Sequence, residues 1–585
     1  MRQFGLAHPG PQSARPEIEW TRANTREVLP DLPSPQVTDF VCWVLNSAFP
    51  LYYGRLLAPE AELGPVARPF SGRVYFNLSQ FRHICRVAGS PEASMLRAMG
   101  HCQAIRPEEE IAGPRLLGEA LRSTPDMLRL FFEQTTAARR FARGVRGIEA
   151  QCAAFSSYDP RAMSDREILA VFDSTYDKSV ERIVTVLVLG SVTLYEPPLR
   201  ALCARAGVPY ERLLYCFLAA GEKSVSSQQA FDLLELAHLA RGEEAVRTYF
   251  REARDLGSYA RDLAGTAWLP RFLRFLELYG HRGIYESEWS LPCFAEDPTP
   301  LLWTLQAHVT GSEPARPAEI VARQQREWNE AWSAFQAGLG RAGRLFSSRW
   351  ALWLLRRVKR MYLWRERYRS ELVRLGMALR RYQRELAGRL LARGWLRELG
   401  DYFFLTFSEV RGALDDPGAG TQLLRTVERR KAERRLWEPL EMPLLMRESQ
   451  LPASLARAGQ APAEPGSGVF QGQCLSPGRA EGEVVVLHEP SEFAGMKRGA
   501  ILVAPATDPS WTPLFTLAAG VIVEVGGVLS HAATVAREYG LPAIANVKDA
   551  TRLLRDGDRV YLDATAGLVT RVAEASSAAA ADQAG

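Results

Sequence analysis

The chain has 585 residues and a mass of 65.2 kDa, with 47% hydrophobic and 24% charged residues. That balance belongs to folded domains and excludes bulk disorder. The net charge is only +5, which excludes a histone-like polycation. Of the 72 basic residues 66 are Arg, so a single arginine carries little functional weight.

Eight cysteines (Cys42, Cys85, Cys102, Cys152, Cys203, Cys216, Cys293, Cys474) form no CxxC pair. A zinc site and a disulfide framework are not expected, and a reducing compartment is. The opening MRQFGLAHPGPQSARP has no apolar signal core, and no run of about 18 apolar residues is present. The expectation is a cytoplasmic protein without a membrane partner.

Taken in order, residues 1–19 are expected to be a flexible N-terminus. Residues 20–449 are rich in Arg, Leu, Ala and Trp with apolar spacings of three and four, which predicts a large, mainly α-helical domain. Leu233–Leu239, Phe272–Leu278 and Ser370–Leu391 are its clearest amphipathic helices. Residues 450–468 are Pro-, Ala- and Gly-rich without periodicity and read as a flexible linker.

Over residues 469–573 the pattern changes. Glu483–Leu487, Ala500–Ala504, Val521–Val525 and Arg559–Leu562 are short β-branched runs between Gly, Pro and Asp-Gly turns. One helix is expected from His531 to Tyr539, stopped by Gly540 and Pro542. Residues 574–585 read as a disordered tail. The fold class is therefore multidomain, α followed by a small α/β module. The first 465 residues carry +9 and the module −2. Between Arg341 and Arg389 there are 15 basic residues against 3 acidic ones.

The chemistry concentrates around His531. The strand Val521–Val525 leads into Gly526-Gly527, and Ser530 is placed to N-cap the next helix. His531 then holds the first helical position, where free N–H groups and the helix dipole make an anion site. The same field disfavours imidazolium. A neutral imidazole keeps a lone pair for attack on phosphorus, and the helix end can hold the group transferred. The bland alternative is an exposed helix-start histidine.

The segment EVGGVLSHAATVAREYGLPAIANV closely resembles the phosphohistidine signature of phosphoenolpyruvate synthase, pyruvate phosphate dikinase and rifampicin phosphotransferase. SPGRAEGEVVVL and DGDRVYLDATAGLV are similar to the start and end of the same swivelling domain. The resemblance implies that His531 is phosphorylated, with Gly526, Gly527 and Ser530 around the phosphate. Asn546 stands where the family usually has Gly. Less tightly, WTRANTREVLPDLPSP, GRVYFNL, YGHRGIYESEWSLPCFAED, RERYR and GDYFFLTFSEV resemble, in this order, the substrate domain of rifampicin phosphotransferase. Glu288 stands where that family has Asp, and Arg369 where it often has Lys.

Those families begin with an ATP-grasp domain. No P-loop and no GxGxxG after a strand is found here. The resemblance therefore implies a carrier and acceptor half, loaded by a separate ATP-grasp subunit that supplies ATP and Mg2+; no cofactor is expected on this chain alone. A small organic hydroxyl compound is the expected acceptor. The alternatives are an inactive ligand-binding or regulatory relative, and a nucleic-acid or anionic-surface binder. The last rests on arginines interleaved with Trp353, Tyr362, Trp364 and Tyr368, a pattern that a solvated helix face over a buried aromatic face also gives.

Arg365 and Arg369, four apart, share a helix face and are candidates to grip one phosphoryl group. Arg282 is a candidate phosphate contact. His281 or Glu286 is the candidate general base. The histidines at 8, 83, 101, 238, 308 and 488 read as structural or surface residues.

Overall fold

The structure is a computed structural model. It describes residues 17–26, 28–98, 117–191, 195–311, 314, 316–416, 418–440, 442–450, 468–489, 492, 495–508, 511–527 and 530–572. Almost all of the expected N-terminal segment, linker and tail lies outside the described residues.

A large helical part is followed by a small α/β part. The helices that matter for function are α1 (Pro35–Tyr53), α2 (Thr124–Ser157), α3 (Asp165–Gly190), α4 (Tyr210–Ala219), α5 (Val225–Gly242), α6 (Trp268–Tyr279), α7 (Thr299–Thr310), α8 (Pro317–Gly338) and α9 (Gly340–Ala392). At about 1.5 Å per residue, α9 is roughly 80 Å long. It starts 30 residues before the amphipathic stretch the sequence singled out.

Most aromatic residues of the basic stretch fasten α9 to the bundle. Trp364 stacks on Phe141 of α2 at 5.2 Å. Tyr368 fills the space over Gly144, and the Tyr382 hydroxyl donates to Phe155 O at 2.7 Å. Tyr362 is buried as well, whereas Trp353 is 56% exposed. Periodicity in a polar, Arg-rich helix thus marks a core-facing aromatic seam.

The helical part also holds a four-stranded antiparallel sheet that the sequence reading did not anticipate. Its order is β2-β3-β1-β4, from β1 (Glu19–Thr21), β2 (Ala67–Phe70), β3 (Arg73–Asn77) and β4 (Leu445–Arg447). Strands of three to five residues give too short a period-2 signal to read. β1 pairs with β4, so the two ends of the helical part meet.

The α/β part is one eight-stranded sheet. Its strands are β5 (Val469–Gln471), β6 (Gln473–Ser476), β7 (Arg479–Val486), β8 (Ile501–Ala504), β9 (Gly520–Val523), β10 (Ala543–Ala545), β11 (Arg559–Asp563) and β12 (Leu568–Arg571), in the order β5-β12-β11-β7-β8-β9-β10-β6. β7, β8, β9 and β10 run parallel. Every residue of β8, β9 and β10 is buried, which is why these strands are uniformly apolar rather than alternating. Two further helices matter: α10 (Thr512–Phe515) and α11 (His531–Tyr539). α11 is the crossover between β9 and β10, so its first turn sits beyond the carboxyl end of a parallel strand, where α/β sheets place their ligands.

Candidate phosphoryl-carrier site

Ser530 is extended (φ −65°, ψ 164°) and its Oγ accepts from Ala533 N at 3.2 Å, so α11 begins with an N-cap. Gly540 closes the helix in the left-handed conformation (φ 67°). Gly526 has no left-handed φ. It is there for space, because a Cβ would lie 3.2 Å from Ala545 Cβ and 3.3 Å from Ser530 Oγ. The Gly527 carbonyl accepts from Ser530 N at 3.0 Å, which ties the turn to the cap.

Asn546 holds the position at which the resemblance expects Gly. Its φ is 61°, a region most side chains avoid and Asn tolerates. Its amide also donates to Gly526 O at 3.1 Å, bracing the turn behind His531. Asn546→Gly is expected to lose the side-chain contacts, to Gly526 and to Gln473 Oε1 at 3.1 Å among them, whereas Asn546→Ala loses them too and adds left-handed strain of about 1 kcal/mol. Thermal denaturation of the two variants should show Ala melting below Gly.

His531 is 6% exposed and stands at the first position of α11. Its Nε2 lies 3.0 Å from Thr512 Oγ1 of α10, and its buried Nδ1 has no hydrogen-bond partner among the described residues. The Phe515 ring flanks it at 5.9 Å. Burial first, then the charges of Arg282 and Arg369, hold the imidazole well below its ordinary pKa. It is a neutral base with a fixed orientation beside two cations that repel a proton and attract a phosphoryl group. Thr512 escaped the sequence reading. It lies 19 residues upstream, and only the fold of β9 and α11 brings it under the ring.

The two cations come from the helical part. Arg282 is 3% exposed, in the loop after α6. Its Nε donates to Glu286 Oε1 at 2.6 Å, Nη1 to Gln229 Oε1 at 2.9 Å and Nη2 to Ser226 Oγ at 3.1 Å. It is therefore preorganised. Arg369, half-buried on α9, makes no side-chain hydrogen bond or ion pair among the described residues, which leaves its guanidinium available to an anion. Arg365 lies 3.5 Å from Glu366, and its charge is not among those acting on His531. The charges of Arg282 and Arg369 thus reach the histidine, while Arg365 lies beside Glu366.

Glu286 is buried, and its Oε2 has no hydrogen-bond partner among the described residues. His281 Nε2 is 2.9 Å from Ser370 Oγ, next to Arg369 in sequence. Burial, aided by Arg374 and Arg282, pulls the His281 pKa down to about 3. Glu288 accepts from Ser34 N at 2.7 Å and from Ser290 N at 3.0 Å, so it anchors the loop to the start of α1.

His308 of α7, read as structural, joins the two parts. Its Nδ1 lies 2.9 Å from Arg498 Nη1 and its Nε2 2.6 Å from Thr516 Oγ1. Arginine only donates, so Nδ1 accepts and the ring is neutral. Burial first, then Arg498, bring its pKa down to about 3. A histidine depressed in the folded state binds its proton on unfolding, so stability is full above about pH 6.5 and falls as pH drops toward 3. For His308 the loss at pH 4 is about 3 kcal/mol. Melting temperatures between pH 7 and pH 4 should fall less steeply in His308→Gln than in the wild type.

Residues 496–567 match the family profile described as PEP-utilising enzyme, mobile domain. The C-terminal part is of that mobile-domain type. Residues 189–366 match the profile described as rifampicin phosphotransferase fourth domain. The chain is 30% identical over 357 residues to a rifampicin phosphotransferase of Streptomyces sp, covering 59% of this chain and 40% of the relative. It is 28% identical over 354 residues to that of Bacillus subtilis, with the same coverages. It is also 30% identical over 305 residues to the prodigiosin synthesizing transferase PigC of Serratia marcescens, covering 52% of this chain and 33% of the relative. The chain spans about two fifths of the length of the rifampicin phosphotransferases it matches. Among the described residues, no helix is long and apolar enough to cross a membrane.

Proposed function

We propose that the chain is the carrier and acceptor half of a phosphotransferase. His531 takes a phosphoryl group from an ATP-charged donor and passes it to a hydroxyl group of a small organic acceptor. The observation that carries this reading is the buried His531 at a helix N-terminus, within the field of the preorganised Arg282 and of Arg369, which has no side-chain hydrogen bond or ion pair among the described residues.

In the loading step the lone pair of an imidazole nitrogen attacks phosphorus as the donor P–O bond breaks. In the second step the acceptor oxygen attacks in line, the P–N bond breaks, and its electron pair returns to the imidazole. The acceptor hydroxyl loses its proton to a base; the free Oε2 of Glu286 is the better-placed candidate and His281 the second. Arg369 and Arg282 spread the charge that builds on the equatorial oxygens. An apolar acceptor suits the rings clustered with Trp289, which packs by Gly376 near the middle of α9. Phe40, Trp43, Tyr176, Trp289 and Phe407 make ring contacts at 4.9–5.9 Å. Trp289 Nε1 would lie 3.3 Å from a Cβ at Gly376, two turns along α9 from Arg369. Relatives named for rifampicin and for prodigiosin show that related chains serve different chemistry.

The donor is placed on a separate ATP-grasp subunit that brings ATP and Mg2+. Calorimetric titration of the purified chain with ATP and magnesium should show no micromolar site. Label from ATP should reach the chain only after the donor subunit is added. Micromolar binding by the chain alone, or autonomous labelling, would contradict the split arrangement.

A further inference from the structure

The helix that carries His531 is held at its other end by a second set of contacts that the transfer chemistry does not use. Glu538, in the last turn of α11, is 1% exposed and reaches across to the helical part. Its Oε2 accepts from Ser224 N at 3.0 Å and Ser224 Oγ at 2.8 Å. Ser224 is the N-cap of α5, a helix of 18 residues, so the carboxylate lies where the dipole of α5 favours negative charge. Two of the six lysines of the chain, Lys223 and Lys359, are close enough for their charges to act on Glu538.

The carbonyls at the end of α11 are met as well. Gln324 Nε2 of α8 donates to Glu538 O at 2.6 Å and to Arg537 O at 3.2 Å, and Arg323 Nη2 donates to Tyr539 O at 3.1 Å. Arg537 lies over the Tyr215 ring of α4 at 4.0 Å, and Tyr539 packs on Phe231 of α5 at 5.1 Å. Each helix end is therefore capped by the other part of the molecule. α5 receives a carboxylate at its positive end, and α11 receives donors at its negative end.

We propose that Glu538 is a positioning residue, the bolt of a latch with Ser224 and Gln324 that seats α11 on the helical part and thereby aims His531 at Arg282 and Arg369. The inference rests on the carrier role of His531. Its geometry is that of a lever. From Glu538 to His531 is seven residues, about 10 Å along a rigid helix. A tilt of about 10° at the latched end displaces the imidazole by roughly 2 Å, and displacements of about 1 Å already cost group transfer on the order of a hundredfold. The same latch must break before His531 can visit a donor, because His531 is buried against the acceptor side while it holds.

The test reads the exposure of His531 and not phosphorylation, so the latch and the carrier role fail separately. The full chain is treated with diethylpyrocarbonate at pH 7, and carbethoxylation of the His531 peptide is followed by mass spectrometry. Glu538→Ala and Ser224→Ala should each raise the rate at least tenfold, while Ser224→Thr, which keeps the capping hydroxyl, stays within twofold of the wild type. Amide-exchange protection in β8 and β9 reports whether the α/β part remains folded. Ser224 lies outside that part, so Ser224→Ala decides alone if Glu538→Ala loses this protection. A Ser224→Ala rate less than tenfold above the wild type overturns the latch, as does a Ser224→Thr rate as fast as Ser224→Ala.

Discussion

His531→Ala should abolish phosphoryl transfer through the chain, with a loss of at least about a thousandfold, because removing the nucleophile of a two-step transfer leaves no partial route. The variant should fold. The imidazole is buried and polar, and its replacement empties a small space against Phe515 and Thr512 without stranding a charge. Label from the donor should therefore be missing from a protein whose melting curve stays close to that of the wild type. His531→Gln is the stricter control, since it keeps a hydrogen-bonding group near Thr512 and still cannot form a phosphoimidazole. If either variant transfers at a tenth of the wild-type rate, the nucleophile is elsewhere.

Arg369→Ala should separate the two half-reactions. In the proposed mechanism His531 is loaded at the donor, away from α9, so loading should be nearly unchanged. Transfer onward should fall by about a hundred- to a thousandfold, the usual cost of removing one preorganised charge from a developing anion. Arg369→Lys should recover part of this, since charge is kept and the planar fork is lost. Arg365→Ala should be far milder, because Arg365 is directed to Glu366. Arg282 is unsuited to the same experiment. Removing it leaves Glu286 as an unpaired buried carboxylate, a loss of about 3–5 kcal/mol in stability. Equal onward rates for Arg365→Ala and Arg369→Ala would show that α9 presents only a solvated face to the site.

The legible part of the site was the part written locally. Ser530, His531 and Gly540 occupy consecutive signals on one strand-turn-helix unit, and capping chemistry places each of them without reference to the rest of the chain. The uniformly apolar strands β8 and β9 were readable for the same reason. Thr512, Asn546 and Glu538 were not. Thr512 meets His531 only through the crossover, and Asn546 reads as a neutral replacement of glycine until its left-handed φ and its bond to Gly526 are seen. Nothing local to Glu538 points to the N-cap of α5, more than 300 residues away, that it meets. The four-stranded sheet around Trp20 stayed hidden because β1 and β4 are three residues each and pair across the whole helical part. Arg365 and Arg369 show the limit of helical spacing, which says that two residues share a face and not which of them a neighbour reaches.

Site mapping of the charged intermediate decides whether the phosphoryl group rides on His531. The chain is loaded by its donor with labelled ATP, separated at alkaline pH and digested, and the labelled peptide is sequenced by mass spectrometry. One acid-labile, base-stable phosphoryl group per chain is expected, on the imidazole of His531. Label on a serine, threonine or carboxylate, or on another histidine with His531 unmodified, would contradict it.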